Sequence, residues 1–413
     1  MTARDVAFQV VRRVFEEDAY ADRVFRSAAG AAGLDERDRA FAMQLAYGTV
    51  QRVRTLDHAI ETLGRRPVRK LDPPVLAALR LGAYQLAFLG GVPPHAAANE
   101  SVELVRGAGL ERAVAFTNAV MRRLAEGIHD LLHALGDATP QEAAVKHSYP
   151  DWVAETFWAE HGREAAVALL EAQNKQPETV VRRTARAPAT LPGEPDPELP
   201  NALRVDHIPD DWLEQGLVWP QSKGSQLAGL AVGAEPGERI LDLCAAPGGK
   251  ATQLAEIAAE VVAVELHPGR ARELEANARR LGAENVTVVN ADATELPPGL
   301  TGFDRVLVDA PCSGLGVLAS RPDLRWRAEP LPGLQRRLLE VALERVRPGG
   351  TVTYAVCTLH RAENEDVVDA LGLETDDLGA AGPAFRHPTR PEFLLTLPHV
   401  HRTSGFFVAR IRP

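Results

Sequence analysis

Cysteine is nearly absent from this chain: Cys244, Cys312 and Cys357 are the only three among 413 residues. They lie far apart and form no Cys/His pair of ligand spacing, so the sequence indicates neither a disulfide framework nor a metal site. Long apolar runs are missing too. No stretch approaches the roughly 18 residues that a membrane span needs, and the opening MTARDVAFQVV lacks the basic start and apolar core of an export signal. A chain of this kind is expected in the cytoplasm, with no membrane partner. Lysine is scarce, since 41 of the 46 basic residues are arginine, a bias that by itself says nothing about phosphate recognition. The net charge of −10 argues against a polyanionic partner only as a sum. Local runs differ, with Arg52 to Arg80 and Arg321 to Arg347 each holding seven basic residues, against three and four acidic ones.

What is present divides into three textures. Residues 1–140 show helical spacing throughout, as in Val6, Val10, Val14 and Phe116, Val120, Leu124, and predict an all-α domain. Residues 141–225 combine a helix pattern near Trp152 with a strand candidate at Val180–Arg183 and a proline-rich loop, the pattern of a small α+β subdomain. Residues 226–413 alternate. ERILDLC, VVAVEL, NVTVVNAD, DRVLVDAP, TVTYAVCTL and FFVARI read as buried strands with helices between them, which predicts a doubly wound α/β sheet.

The first of these strands runs into LDLCAAPGGK. A P-loop would need glycine at Cys244 and a hydroxyl at Ala251, and the dinucleotide pattern G-x-G-x-x-G is missing. What remains is a turn, Cys244-Ala245-Ala246-Pro247-Gly248-Gly249-Lys250, where a cofactor can approach bare backbone. One strand later Glu265 is placed to accept a ribose, with Arg270 following it. One strand further, Asp292 is placed to take an adenine amine. An adenosyl ligand without a pyrophosphate, such as S-adenosylmethionine, suits this set better than NAD does. The next two strands end in DAPCSGLG and YAVCTL, so Asp309, Cys312 and Cys357 should meet at the cofactor's edge of a parallel sheet.

LDLCAAPGGK, DAPCSGLG and YAVCTLHRAENE resemble the motifs of RNA cytosine-5 methyltransferases, specifically the RsmB/Sun (Fmu) branch that modifies small-subunit ribosomal RNA. AMQLAYGTVQR, LRLGAYQLAFL and FTNAVMRRL resemble the NusB-type RNA-binding domain fused to that branch. The resemblance implies an enzyme in which Cys357 is the nucleophile and Cys312 assists product release. It also implies that Asp309 holds the cytosine edge and faces the cofactor's methionine amine, and that Lys250 supplies positive charge near the thiolates. The chain departs from the family's habit at Val356, where a small hydroxyl residue is usual, and at Glu265, where aspartate is common. Glu363-Asn364-Glu365 reads as structural support for the nucleophile strand.

A base that must reach Cys357 has to be unstacked, so the expected partner is ribosomal RNA at a loop or an opened single strand. Arg321, Arg325, Trp326 and Arg327 follow the DAPCSG loop and are expected to hold phosphates and stack a base. A transfer-RNA methyltransferase would share every catalytic residue. A non-catalytic RNA-binding or assembly factor would not need both cysteines. The protein is expected to act as a monomer.

Overall fold

The computed structural model describes Met1–Pro413 as two compact units. One holds Met1–Asn174 together with Leu318–Arg327. The other holds Lys175–Val317 and Ala328–Pro413.

The first unit is helical: α1 (Ala3–Glu16), α2 (Ala21–Ala32), α3 (Glu36–Gly64), α4 (Pro73–Phe88), α5 (Pro94–Gly107), α6 (Val114–His133), α7 (Pro140–His147) and α8 (Asp151–Ala172). Helix starts follow local chemistry. Thr2 with Asp5, and Thr139 with Glu142, form reciprocal capping boxes, while Pro73, Pro94 and Pro140 occupy first-turn positions where no amide donor is needed. The long α3 packs against α1, α4 and α6. Helices α4, α5 and α6 meet closely at Gly82, where a methyl group would lie 2.3 Å from Ser101 Oγ and 2.5 Å from Met121 Cε. The helical unit takes in α7 and α8, beyond the boundary near 140 that periodicity suggests, and it also takes in Leu318–Arg327. Leu318 is wholly buried, and its amide donates to Gln173 Oε1 at 3.1 Å.

The second unit carries two sheets. The smaller is antiparallel in the order β2 (Glu194–Pro195), β3 (Ala202–Arg204), β1 (Val180–Arg183), β4 (Val218–Pro220). The larger contains β5 (Arg239–Asp242), β6 (Glu260–Glu265), β7 (Val286–Asn290), β8 (Phe303–Asp309), β9 (Val346–Val356), β10 (Glu374–Thr375), β11 (Leu394–Thr396) and β12 (Phe406–Arg412). Its order is β10-β12-β9-β8-β5-β6-β7, with β11 beside β12. Strands β5 to β9 are parallel, and β12 runs antiparallel to β9. The six strands expected from the sequence are all present, in a sheet that is mixed rather than wholly parallel. Ile240, Val261 and Leu307 are fully buried, each contributing about 1.5–3 kcal/mol of transfer free energy.

From β5 the chain builds outward to β6 and β7, then returns to place β8 and β9 on the other side. The crevice at the carboxyl ends of β5 and β8 is therefore the switch point of the sheet, where ligands of such folds collect.

Candidate active site

The turn after β5 is held on both sides. Leu243 N donates to Leu307 O and Ala245 N to Val264 O, each at 3.0 Å. Gly248 has φ 109°, and a Cβ there would meet Leu274 Cδ1 at 2.5 Å, so glycine is required twice over. A Cβ on Gly249 would lie 2.7 Å from Trp219 Nε1, so this glycine leaves room for a tryptophan of the small sheet. Arg270 braces the turn by donating to Ala246 O at 2.7 Å.

Lys250 leaves the turn into the helix Gly249–Ala255 and is 8% exposed. Its Nζ lies 2.7 Å from Asp309 Oδ2 at the end of β8 and 5.1 Å over the ring of Phe406. Asp242, at the end of β5, is buried without a side-chain hydrogen-bond partner, and the Cys244 amide and the charge of Lys250 only partly offset its burial. Burial, then the charge of Asp309, pushes its carboxyl up to about 7. Glu265 ends β6 in a buried position, accepts the His267 amide at 2.9 Å and faces Arg270 at 3.5 Å. Asp292 is exposed after β7. Its Oδ1 accepts both the amide and the hydroxyl of Thr294, which holds the carboxyl below its usual range.

Cys312 lies in the loop after β8 and Cys357 directly after β9. Their sulfurs are 3.4 Å apart. Gly316 N donates to Cys357 O at 3.0 Å and closes the first loop over the second. The Cys312 thiol is pushed well above the ordinary range by its hydrogen bond to Cys357, then by burial and by the charges of Cys357 and Glu363. Cys244, the third thiol, is pushed up mainly by burial. No group of three His, Cys, Asp or Glu side chains is arranged to hold a metal ion.

Two nucleophile-type side chains in contact, a lysine–aspartate pair and a glycine turn thus share one sheet edge. Residues 230–412 match the family described as 16S rRNA methyltransferase RsmB/F, and residues 1–126 match the NusB family. Ribosomal RNA small subunit methyltransferase B of Thermus thermophilus is 37% identical to this chain, over 90% of it and 85% of that protein. The chain belongs to the RsmB/F family of 16S rRNA methyltransferases. The crystal structure of PH0851 superposes with a TM-score of 0.82 at 21% identity, covering 100% of this chain and 99% of that one. That of NSun6 from Pyrococcus horikoshii with SFG gives 0.57 at 22%, covering 64% and 98%. These two likenesses concern the fold.

One expectation for this RsmB/F chain is corrected by the structure. Arg325 is 0% exposed. Its guanidinium donates to Asn174 Oδ1 at 2.8 Å, Gln173 O at 2.7 Å and Ser148 O at 3.2 Å, and stacks 4.0 Å over Tyr149. Burial pulls it down to about 10. Trp326 packs on the helical core and donates to Val50 O at 2.7 Å. Arg327 donates to Asp18 and lies 3.9 Å over Tyr20, and Arg321 sits 3.7 Å from Asp22. The carbonyls at the ends of α7 and α8 lack helical partners, and a guanidinium with five donors satisfies several at once. Arg325 and Trp326 are therefore interior anchors of the helical unit rather than an RNA-stacking platform.

Two residues gain importance that the sequence did not give them. Asp242 has a sequence signal, a carboxylate two residues before the turn. Glu363, read there only as structural support, is 0% exposed and accepts from Ser313, Leu331 and Gln335.

Proposed function

We propose that this chain methylates carbon 5 of a cytosine in small-subunit ribosomal RNA, using S-adenosylmethionine and a covalent bond from Cys357 to the base. The observation that carries this reading is the pair of sulfurs 3.4 Å apart at the ends of adjacent strands, beside the Lys250–Asp309 pair.

The residues at the switch point suit that cofactor. Three carboxylates, Asp242, Glu265 and Asp309, face two cations, Lys250 and Arg270, and Asp242 has no side-chain hydrogen-bond partner, so a cationic ligand relieves an otherwise costly arrangement. The Cys244–Gly249 turn, Glu265 and Asp292 would hold its nucleoside end. SFG, found with NSun6, is an analogue of the same cofactor.

Cytosine C5 is a weak carbon nucleophile. Addition of the Cys357 sulfur to C6 gives C5 enamine character. S-adenosylmethionine, when bound, supplies an electrophilic methyl group. Transfer of the C5 proton to a solvent base then restores the ring as the C6–S bond breaks, and Cys357 leaves as a thiolate that the Cys312 thiol, 3.4 Å away, stabilises by donating to it. Asp309, held by Lys250, engages the N3/N4 edge of the base. The target nucleotide is one that leaves its stack readily.

The test is a denaturing gel of the protein with S-adenosylmethionine and a small-subunit RNA fragment carrying 5-fluorocytidine. Fluorine blocks the final elimination, so a covalent band is expected, and it should vanish in Cys357→Ala. A band that persists in that variant refutes the nucleophile. No band, with ordinary RNA left unmethylated, refutes the substrate and directs the assay to transfer RNA.

A further inference from the structure

Two thiols in contact raise a question that the family chemistry leaves open. When the pair loses one proton, either sulfur could carry the charge, and only one should attack. The surroundings of the two are unequal.

Glu363 is fully buried, and its carboxylate accepts donors from two separate segments, the Cys312 loop and the start of the helix Pro332–Arg345. The donors are the Ser313 amide at 3.0 Å, the Leu331 amide at 3.0 Å, the Gln335 side-chain amide at 2.9 Å and the Ser313 hydroxyl. Gln335 also donates to Pro311 O at 2.9 Å, and Tyr354 OH donates to Glu363 O at 2.6 Å. The Ser313 hydroxyl meets Thr358 Oγ1 at 2.8 Å. The dipeptides Cys312-Ser313 and Cys357-Thr358 thus lie side by side, sulfur to sulfur and hydroxyl to hydroxyl. Glu363 terminates the hydroxyl row on the Cys312 side.

We infer that Glu363 makes the two cysteines unequal, keeping the proton on Cys312 so that Cys357 is the sulfur that ionises and attacks. This rests on the cysteine roles proposed above. Both oxygens of Glu363 accept hydrogen bonds, so the group is a fixed negative charge on the Cys312 side, and a second negative charge there is disfavoured. The protonated Cys312 then donates to the Cys357 thiolate across 3.4 Å. The titratable groups acting on Cys312 are Cys357 and Glu363, and Tyr354 of β9 feels Cys312, Glu363 and Asp309 in turn. Glu363 is in this sense a positioning residue: it acts through Cys312 and touches no substrate.

The experiment is alkylation of the full-length protein by iodoacetamide from pH 6.5 to 9.5, with each cysteine followed by mass spectrometry. RNA and cofactor are absent, so this readout stands apart from adduct trapping. In the wild type, Cys357 should react at least about tenfold faster than Cys312 at the low end of this range, the result expected when Cys357 carries most of the thiolate. Glu363→Gln, which keeps shape and removes charge, should narrow the ratio to within about threefold and move the Cys312 profile to lower pH. Glu363→Asp should restore the preference. A faster Cys312 in the wild type, or an unchanged ratio and profile in folded Glu363→Gln, overturns the inference. Should Glu363→Gln fail to fold, Ser313→Ala removes the hydroxyl link and keeps the charge. The Cys357 preference should then survive, and its loss would assign the bias to the hydroxyl row and refute the role of charge.

Discussion

Arg325 and Glu363 are both wholly buried charged side chains, one in each unit, and their neighbours differ in kind. Arg325 is surrounded by main-chain carbonyls, an asparagine and the ring of Tyr149, none of them next to a thiol. Glu363 gathers a comparable set of hydrogen bonds, but its partner Ser313 is bonded to Cys312, whose sulfur touches Cys357. Burial and hydrogen bonding therefore do not separate a structural charge such as Arg325 from one with the role proposed for Glu363. What separates them is whether a reactive atom stands within one residue of the partners.

The comparison can be broken most severely at the sulfurs. Cys312→Ala should let the RNA–enzyme bond persist and lower turnover by about a thousandfold or more, of the size seen when a group needed in the transition state is removed. Its fold stability should stay close to wild type, as a denaturant titration would show. Normal RNA release by that variant would place the catalytic unit's buried polar network in the same structural class as Arg325. The reciprocal change is Arg325→Met. It strands carbonyls at the ends of α7 and α8 and should cost about 3 kcal/mol in urea unfolding. The salt dependence of RNA binding should not move, because the guanidinium never reaches solvent. A slope that falls by about one counterion would return Arg325 to the RNA surface.

A smaller effect distinguishes the units by pH. Burial pushes His147 of the helical unit down to about 4, so the unfolded chain binds a proton below 6.5 that the folded chain refuses. Stability is lost as pH falls from about 6.5 to 4. Asp242 of the catalytic unit, pushed up to about 7, works in the opposite sense. The folded chain holds a proton that the unfolded chain has released above 3.8, so its contribution is complete below 3.8 and is lost as pH rises to about 7. Each slope is about 1.4 kcal/mol per pH unit inside its window. Thermal melts of His147→Leu and Asp242→Asn across pH 4–8 should each flatten one limb, and a limb left intact would reject the group assigned to it.

The catalytic edge was legible in the sequence because parallel strands bring their carboxyl ends together. Once DRVLVD and TVTYAV are strands, Cys312 and Cys357 must share that edge. Asp309 followed from the same rule, whereas Lys250 came only from the family resemblance, which did not foresee its pairing with Asp309. The use of Arg325-Trp326-Arg327 was not legible, since carbonyl oxygens and phosphate oxygens call for the same donors and only the tertiary fold says which are nearby. Glu363 was hidden for a related reason. Its partners at 313, 331 and 335 are remote in sequence, so no local pattern marks it as anything but the start of a helix.

The membership of Leu318–Arg327 in the helical unit has a practical corollary for anyone dividing this gene. The chain passes between the units three times, after Asn174, Val317 and Arg327. An expression fragment starting near residue 226 would display Leu318 and Trp326 to solvent and strand Arg325 without its carbonyls, whereas one ending at residue 174 would lack a piece of its own core. The two halves are separable by name and not by a single cut, and an insertion or deletion tolerated in an ordinary linker would here shift the loop that carries Cys312.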